Sequence, residues 1–291
     1  MLEWRRTIAV AGIVATLGVL ASACGGGEEA AGPSRTDVAS PVSPGPSPSP
    51  PASSPAPSPQ TSSSTAGLLR GSKSVHFRTA DGIRLVGRMF GSGTVGVVLS
   101  HQGGTAANQS DWWGMARLLA DRGYRVLTYD FRGICPGGVA GCSGGTFGGP
   151  TQWKDLLAAV GFIRAAGARR VVVGGASIGA MASLVVAGRP VQHIAGVISL
   201  SGGEDLSGIY ELGRESIQRI SAPKLFIAGR YDREFAASAR DWLRWATPPV
   251  DGRVLNTGLH GTDMLNLASG DDEEIPGIVE GMILRFLARY M

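Results

Sequence analysis

Ser177 lies in Gly175-Ala176-Ser177-Ile178-Gly179, a G-x-S-x-G pentapeptide between the run "RRVVV" and the apolar segment "MASLVVAG". A serine hydroxyl is a weak nucleophile at neutral pH and needs a base to take its proton. Glycines on both sides allow a sharp strand-to-helix turn that holds the hydroxyl clear of both elements. A serine that caps a helix would occupy the same place. The pentapeptide alone leaves both readings open, because a chain with 44 glycines contains such patterns by chance.

A base must therefore be found. The histidines are His76, His101, His193 and His260. His76 precedes all the later elements, and His193 falls near the start of a strand, at the wrong end of a sheet. His101, in "SHQGG", reads as a buried or supporting residue. His260, in "NTGLHGTDML", follows the last apolar run and comes after Ser177, as a serine-first arrangement requires. The base needs an acid to orient it. Asp232, in "IAGRYDREF", directly follows the run "KLFIAG", where it would equally serve as the N-cap of the next helix. Glu204 and Asp205 in "LSGGEDL" are the rival acids, and Asp263 stands too near His260 in the chain. Acyl transfer also needs backbone N–H groups aimed at the developing oxyanion. Ile178 supplies one, at a helix start. Gln102 or Gly103, in "HQGG", supplies the other, and the residue types do not separate them.

These residues need a frame that brings distant loops to one edge. "SVHFRT" and "IRLVGRMF", joined through a "DG" turn, predict a hairpin. From about residue 95 strand-like runs ("TVGVVLS", "YRVLTYDFRG", "RRVVVGG", "VQHIAGVISLSG", "APKLFIAGRYD", "GRVLNTGLHG") alternate with helical ones. The helical segments are "NQSDWWGMARLLADRG", "TQWKDLLAAVGFIRAAG", "SIGAMASLVVAG", "LSGIYELGRESIQRI", "EFAASARDWLRWA" and "IPGIVEGMILRFLARYM". Such alternation predicts an α/β fold with a mostly parallel sheet covered on both faces. Functional residues then lie past the carboxyl ends of the strands.

From about residue 75 onward the chain resembles an α/β-hydrolase of the dienelactone hydrolase-like type. The matching pieces, in order, are "GVVLSHQGG", "YDFRG", "GGASIGA", "LFIAGRYD" and "LHGTDML". The resemblance implies a roughly eight-stranded, mostly parallel sheet and a triad of Ser177, Asp232 and His260. It departs from the family twice. Dienelactone hydrolases proper use a cysteine where this chain has Ser177, and the usual "HG" is "HQ" here. The first departure favours a general serine esterase. No insertion long enough for a large cap separates the strand ending at Ser199 from the one starting near Lys224. Trp112 and Trp113 are expected either to line an acyl pocket or to pack a helix on the sheet.

Residues 1–24 have the layout of an export signal, with Arg5 and Arg6 before an apolar run and "LASAC" at its end. This resembles a lipoprotein signal that would place a lipid on Cys24. An ordinary cleavable signal would instead give a secreted protein. Residues 25–72 are rich in Gly, then in Pro and Ser, with too few large apolar side chains to offset the entropy of folding. They read as a semi-stiff spacer. Residues 73–291 are the expected hydrolase domain. In an oxidising compartment Cys135 and Cys142, seven residues apart in a Gly-rich loop, are expected to pair.

The net charge is only +4, and the lysines are Lys73, Lys154 and Lys224. With arginines scattered singly, this is no nucleic-acid stripe. The expected protein is an extracytoplasmic, lipid-anchored serine hydrolase for small ester substrates, without metal or organic cofactor. A peptidase on the same core and a non-catalytic envelope lipoprotein are the alternatives.

Overall fold

The computed structural model describes residues 66–205, 208–266 and 270–291. The expected export signal, Cys24 and nearly all of the expected spacer lie outside the described residues.

The hairpin forms as expected: β1 (Lys73–Arg78) pairs antiparallel with β2 (Arg84–Phe90). Then strands and helices alternate. β3 (Val95–Ser100), α1 (Trp113–Ala120), β4 (Arg125–Tyr129), α2 (Gln152–Ala165), β5 (Arg170–Ala176) and α3 (Ile178–Ala187) build the first half. β6 (Gly196–Leu200), α4 (Arg214–Gln218), β7 (Lys224–Gly229), α5 (Arg233–Trp245), β8 (Val250–Leu255), α6 (Asp263–Asn266) and α7 (Ile275–Tyr290) build the second. The eight strands lie in the order β1-β2-β4-β3-β5-β6-β7-β8. β2 runs antiparallel to β4, and all pairings from β4 through β8 are parallel.

Strand alternation decides which side chains enter which layer, because successive Cβ atoms point to opposite faces. Val171 and Val173 of β5 pack with α2, α3 and Trp242 of α5, while Val172 packs on the other face with α1 and α7. On α7, Ile275, Val279, Ile283 and Phe286 are buried at helical spacing, which makes one apolar stripe against the sheet. α3 has no polar face. Its residues from Ile178 to Leu184 are all buried, as expected of a helix enclosed by the fold.

The chain moves from β3 to β4 on one side and then crosses to β5 on the other. That reversal opens a crevice at the carboxyl ends of β3 and β5, the general ligand position in open α/β sheets. Ser100 ends β3 and Ala176 ends β5, so "HQGG" and Ser177 face each other there.

The "YDFRG" loop is braced by Arg132. Its Nε and Nη2 donate to Asp155 Oδ1 of α2 at 2.8 and 2.6 Å, and its N–H donates to Asp155 Oδ2 at 2.9 Å. Nη1 and Nη2 also donate to Asp81 in the β1–β2 turn. Asp155 is fully buried, and a buried carboxylate needs such partners.

One expected helix is largely absent. Of the described residues 208–220 only Arg214–Gln218 is helical. The Leu212 N–H donates to Glu204 O at 2.7 Å, and Asp205 bridges Glu211 antiparallel. Gly208 has φ 71°, outside the helical region, and Gly213 is extended. Two glycines outweigh the apolar spacing that predicts a helix.

Candidate active site

Ser177 sits between β5 and α3 at φ 51°, ψ −120°, a conformation costly for a residue with a side chain. Its N–H donates to Leu200 O at 2.9 Å, which ties the turn to β6. The flanking glycines are required by contact. A Cβ on Gly175 would lie 2.3 Å from the carbonyl carbon of Gly179. A Cβ on Gly179 would lie 2.5 Å from the carbonyl oxygens of Ser100 and His101. The turn thus packs backbone on backbone between β5, α3 and the end of β3. The Ser177 side chain makes no capping hydrogen bond, so the helix-cap reading of this serine fails.

Asp232 stands at the N-terminus of α5, yet its carboxylate does not cap that helix either. It receives His260 Nδ1 at 3.0 Å on Oδ1 and 2.9 Å on Oδ2. A carboxylate only accepts, so Nδ1 carries the proton and Nε2 is left as the acceptor face of the ring. The backbone beneath the pair is cross-tied: the Arg230 and Tyr231 N–H groups donate to Leu255 O and Thr257 O. The Phe235 ring lies 4.5 Å, centroid to centroid, from the His260 ring. The rival acids point elsewhere. Among the described residues, Glu204, Asp205 and Asp263 make no side-chain bond to His260; the Asp263 carboxylate faces Gln102.

The histidine loop meets the serine turn through Gly261. A Cβ there would lie 3.1 Å from the Cβ of Ala176, the residue before Ser177. Ser177 and His260 are therefore each one residue from a shared contact. Among the described residues no hydrogen bond joins Ser177 Oγ to the imidazole, and such bonds are often long before substrate enters.

On the other side of the crevice, Gly103 comes within 3.8 Å of Ile178 Cγ2, measured from where its Cβ would be. Ile178 opens α3, so its N–H has no partner inside the helix. The Gln102 carbonyl accepts from His101 Nδ1 at 2.7 Å. In a trans, planar peptide the Gly103 N–H points opposite to that carbonyl. It is thus turned away from the buried His101. A cleft of about 460 Å³ adjoins this loop, with Gln102, Gly103, Thr105, Ser110, Asp111 and Asp263 in its wall.

His101 is wholly buried and is not the base. Its two bonds fix its tautomer, since Nδ1 must donate to Gln102 O and Nε2 must accept from the Phe131 N–H at 3.1 Å. Burial pushes its pKa down to about 4. The unfolded ring titrates near 6.5, so the folded protein binds fewer protons between those values. Stability present above pH 6.5 is then lost as pH falls toward 4, by about 2–3 kcal/mol at pH 4.5. Asp130, raised by burial to about 6, acts in the opposite sense over the same range. The difference between wild type and His101→Gln isolates the histidine: urea unfolding at pH 8 and 4.5 should show a smaller acid loss in the variant. An equal loss would refute this assignment.

Trp112 and Trp113 are packing residues. Trp112 is fully buried and donates Nε1 to Ser100 O at 3.0 Å; Trp113 lies beneath the Arg88 guanidinium, 5.5 Å from its ring centre. The expectation that they line an acyl pocket is not met. His193 precedes β6 and His76 lies in β1, both outside this group. Cys135 and Cys142 lie with Cα atoms 4.0 Å apart and their sulfurs joined, around a Gly137–Gly141 bridge.

Ser201 is a site residue that carries no motif. It follows β6 at φ 49°, and its Oγ accepts the Gly261 N–H at 3.0 Å. Its place just after a parallel strand marks it for inspection, but nothing in "SLSGG" announces the positive φ.

A family model described as alpha/beta hydrolase fold matches residues 96–213. No curated protein matches the chain. Among solved structures, an esterase of Pyrococcus furiosus superposes with a TM-score of 0.63 at 20% identity, covering 77% of this chain and 94% of that one. A hydrolase from Pseudomonas aeruginosa gives 0.60 at 19% identity, over 74% and 98% of the two chains. A thermophilic esterase from Thermogutta terrifontis gives 0.57 at 16% identity, over 75% and 99%. The chain has the α/β-hydrolase fold, with no large cap among the described residues.

Proposed function

We propose that this protein is a serine hydrolase of carboxylic esters, with Ser177 as nucleophile, His260 as base and Asp232 as the acid that orients it. The observation that carries the reading is the pairing of a strained, uncapped serine at the crevice with a histidine whose Nδ1 is held by a carboxylate 2.9 Å away.

The steps follow from the groups. His260 Nε2 takes the Ser177 proton as Oγ adds to the ester carbonyl. The oxyanion is met by the Ile178 N–H and, we infer, by the Gly103 N–H rather than that of Gln102. The fixed Gln102 carbonyl supports this choice, because it aims the Gly103 N–H away from the interior. Each such donor contributes roughly 3–4 kcal/mol in comparable sites. Collapse of the adduct expels the alcohol, which takes its proton from His260, and leaves an acyl group on Ser177. Water activated by the same imidazole then releases the acid. Asp232 stays ionised throughout and stabilises the transient imidazolium.

The order of the sequence pieces supports a dienelactone hydrolase-like enzyme that has exchanged cysteine for serine. The signal-like residues 1–24 support a lipid on Cys24 and a location outside the cytoplasm, with residues 25–72 as tether. The Cys135–Cys142 pair fits that compartment.

One experiment on protein purified from its native membrane tests both parts. After reaction with a fluorophosphonate, mass spectrometry should find one phosphonyl group, on the peptide carrying Ser177, and a lipid-modified N-terminal Cys24. Native protein that takes no label and hydrolyses no short p-nitrophenyl ester would sink the enzyme reading. An unmodified Cys24, or cleavage elsewhere, would sink the anchor.

A further inference from the structure

We propose that Gln102 is a positioning residue that locks the histidine loop to the oxyanion loop; this rests on the serine-hydrolase reading above. Gln102 stands where the resembling family has glycine, and its side chain crosses the crevice. Oε1 accepts the Thr262 N–H at 2.8 Å, two residues past His260. Nε2 donates to Asp263 Oδ1 at 3.4 Å. A donor on one side and an acceptor on the other fix which way the amide faces. The next residue back, Gly261, has its N–H held by Ser201 Oγ at 3.0 Å. Two consecutive N–H groups after His260 are thus anchored by two side chains from two other loops.

The fit of the strut is written into Gly261. It sits at φ 55°, and a Cβ there would lie 2.1 Å from Gln102 Oε1. Only glycine leaves the amide its place. Meanwhile the Gln102 carbonyl fixes the peptide plane that carries the Gly103 N–H. One residue therefore sets both the aim of an oxyanion donor, through its backbone, and the seat of the base, through its side chain. Base and oxyanion donors must stay in register to a fraction of an ångström, and a 1 Å error costs on the order of 10²-fold in rate.

The test compares Gln102→Met, which keeps length but cannot hydrogen-bond, with Gln102→Glu, which keeps the acceptor for Thr262. In full-length protein, Gln102→Met should lower kcat on p-nitrophenyl butyrate by about 10²-fold, with KM within about twofold of wild type. Its phosphonylation rate should fall by the same factor. Gln102→Glu should stay within about tenfold of wild type. In ¹⁵N-histidine-labelled protein, the downfield Nδ1 proton of His260, identified by its absence in His260→Ala, should be sharp in wild type and broadened in Gln102→Met. Wild-type kcat and a sharp resonance in Gln102→Met would overturn the proposal, as would equal losses in the two variants or a change in KM alone. If Gln102→Met does not fold, Gln102→Ala takes its place under the same expectations, and wild-type kcat with a sharp resonance in it overturns the proposal. A wild type that hydrolyses no ester but whose resonance responds as stated would remove the hydrolase reading and leave the strut standing.

Discussion

Ser177→Ala is expected to lower ester turnover by on the order of 10⁵–10⁶ while leaving the fold intact. The size follows from what the serine alone does. It forms the bond to the acyl carbon, and neither His260 nor the oxyanion donors can replace it. The rate left over, about 10³–10⁴ above water, is that of a site which still binds and polarises the carbonyl. The fold should tolerate the change because Oγ caps nothing; the turn is held instead by the Ser177 N–H on Leu200 O and by glycine backbone contacts. Alanine is as strained as serine at φ 51°, so the melting temperature should move by no more than a few degrees. Turnover of p-nitrophenyl butyrate, normalised to folded protein, is the measurement. Residual activity within tenfold of wild type would place the chemistry elsewhere.

The parts of this site that were legible in the sequence are those that depend on chain order. Strands alternating with helices require parallel pairing, and parallel pairing puts the ends of β3, β5, β7 and β8 on one edge. Ser177, Asp232 and His260 follow such ends, so their placement along one edge could be anticipated from position and residue type. What depends on side-chain direction could not. Gln102 reads as one of two backbone donors, and only the crossing to Thr262 reveals the work of its amide. Ser201 is hidden because its positive φ has no glycine or asparagine to mark it. Trp112 and Trp113 are apolar and near the site in sequence, which serves a pocket or a core equally; the Trp112 Nε1 bond to Ser100 O turns that ring inward, and Trp113 is buried against Arg88. The segment 206–220 misleads for a different reason. Its apolar spacing is helical, but the Asp205–Glu211 bridge outcompetes a helix interrupted at Gly208 and Gly213.

Asp232→Asn should lower kcat by about 10⁴ with KM little changed, a loss set by the tautomer of one ring. In wild type the carboxylate can only accept, so Nδ1 keeps its proton and Nε2 keeps its lone pair free to take one. An asparagine offers an NH₂ as well as a carbonyl. When its NH₂ faces Nδ1, the imidazole shifts its proton to Nε2 and presents a donor where a base is needed. Even in the other tautomer, no negative charge remains to stabilise the imidazolium. The competing explanation is structural, since Asp232 sits at the start of α5. It predicts a lower melting temperature instead, because removing a helix cap costs about 1 kcal/mol. The carboxylate makes no cap bond, so the variant should melt near wild type while losing its rate. Glu204→Gln and Asp205→Asn complete the comparison. Neither carboxylate bonds His260, and the Glu204 backbone N–H is taken by Ser238 Oγ at 2.9 Å. Both variants should therefore turn over ester at the wild-type rate, and a 10⁴-fold loss in either would transfer the role of the acid from Asp232 to the β6 loop.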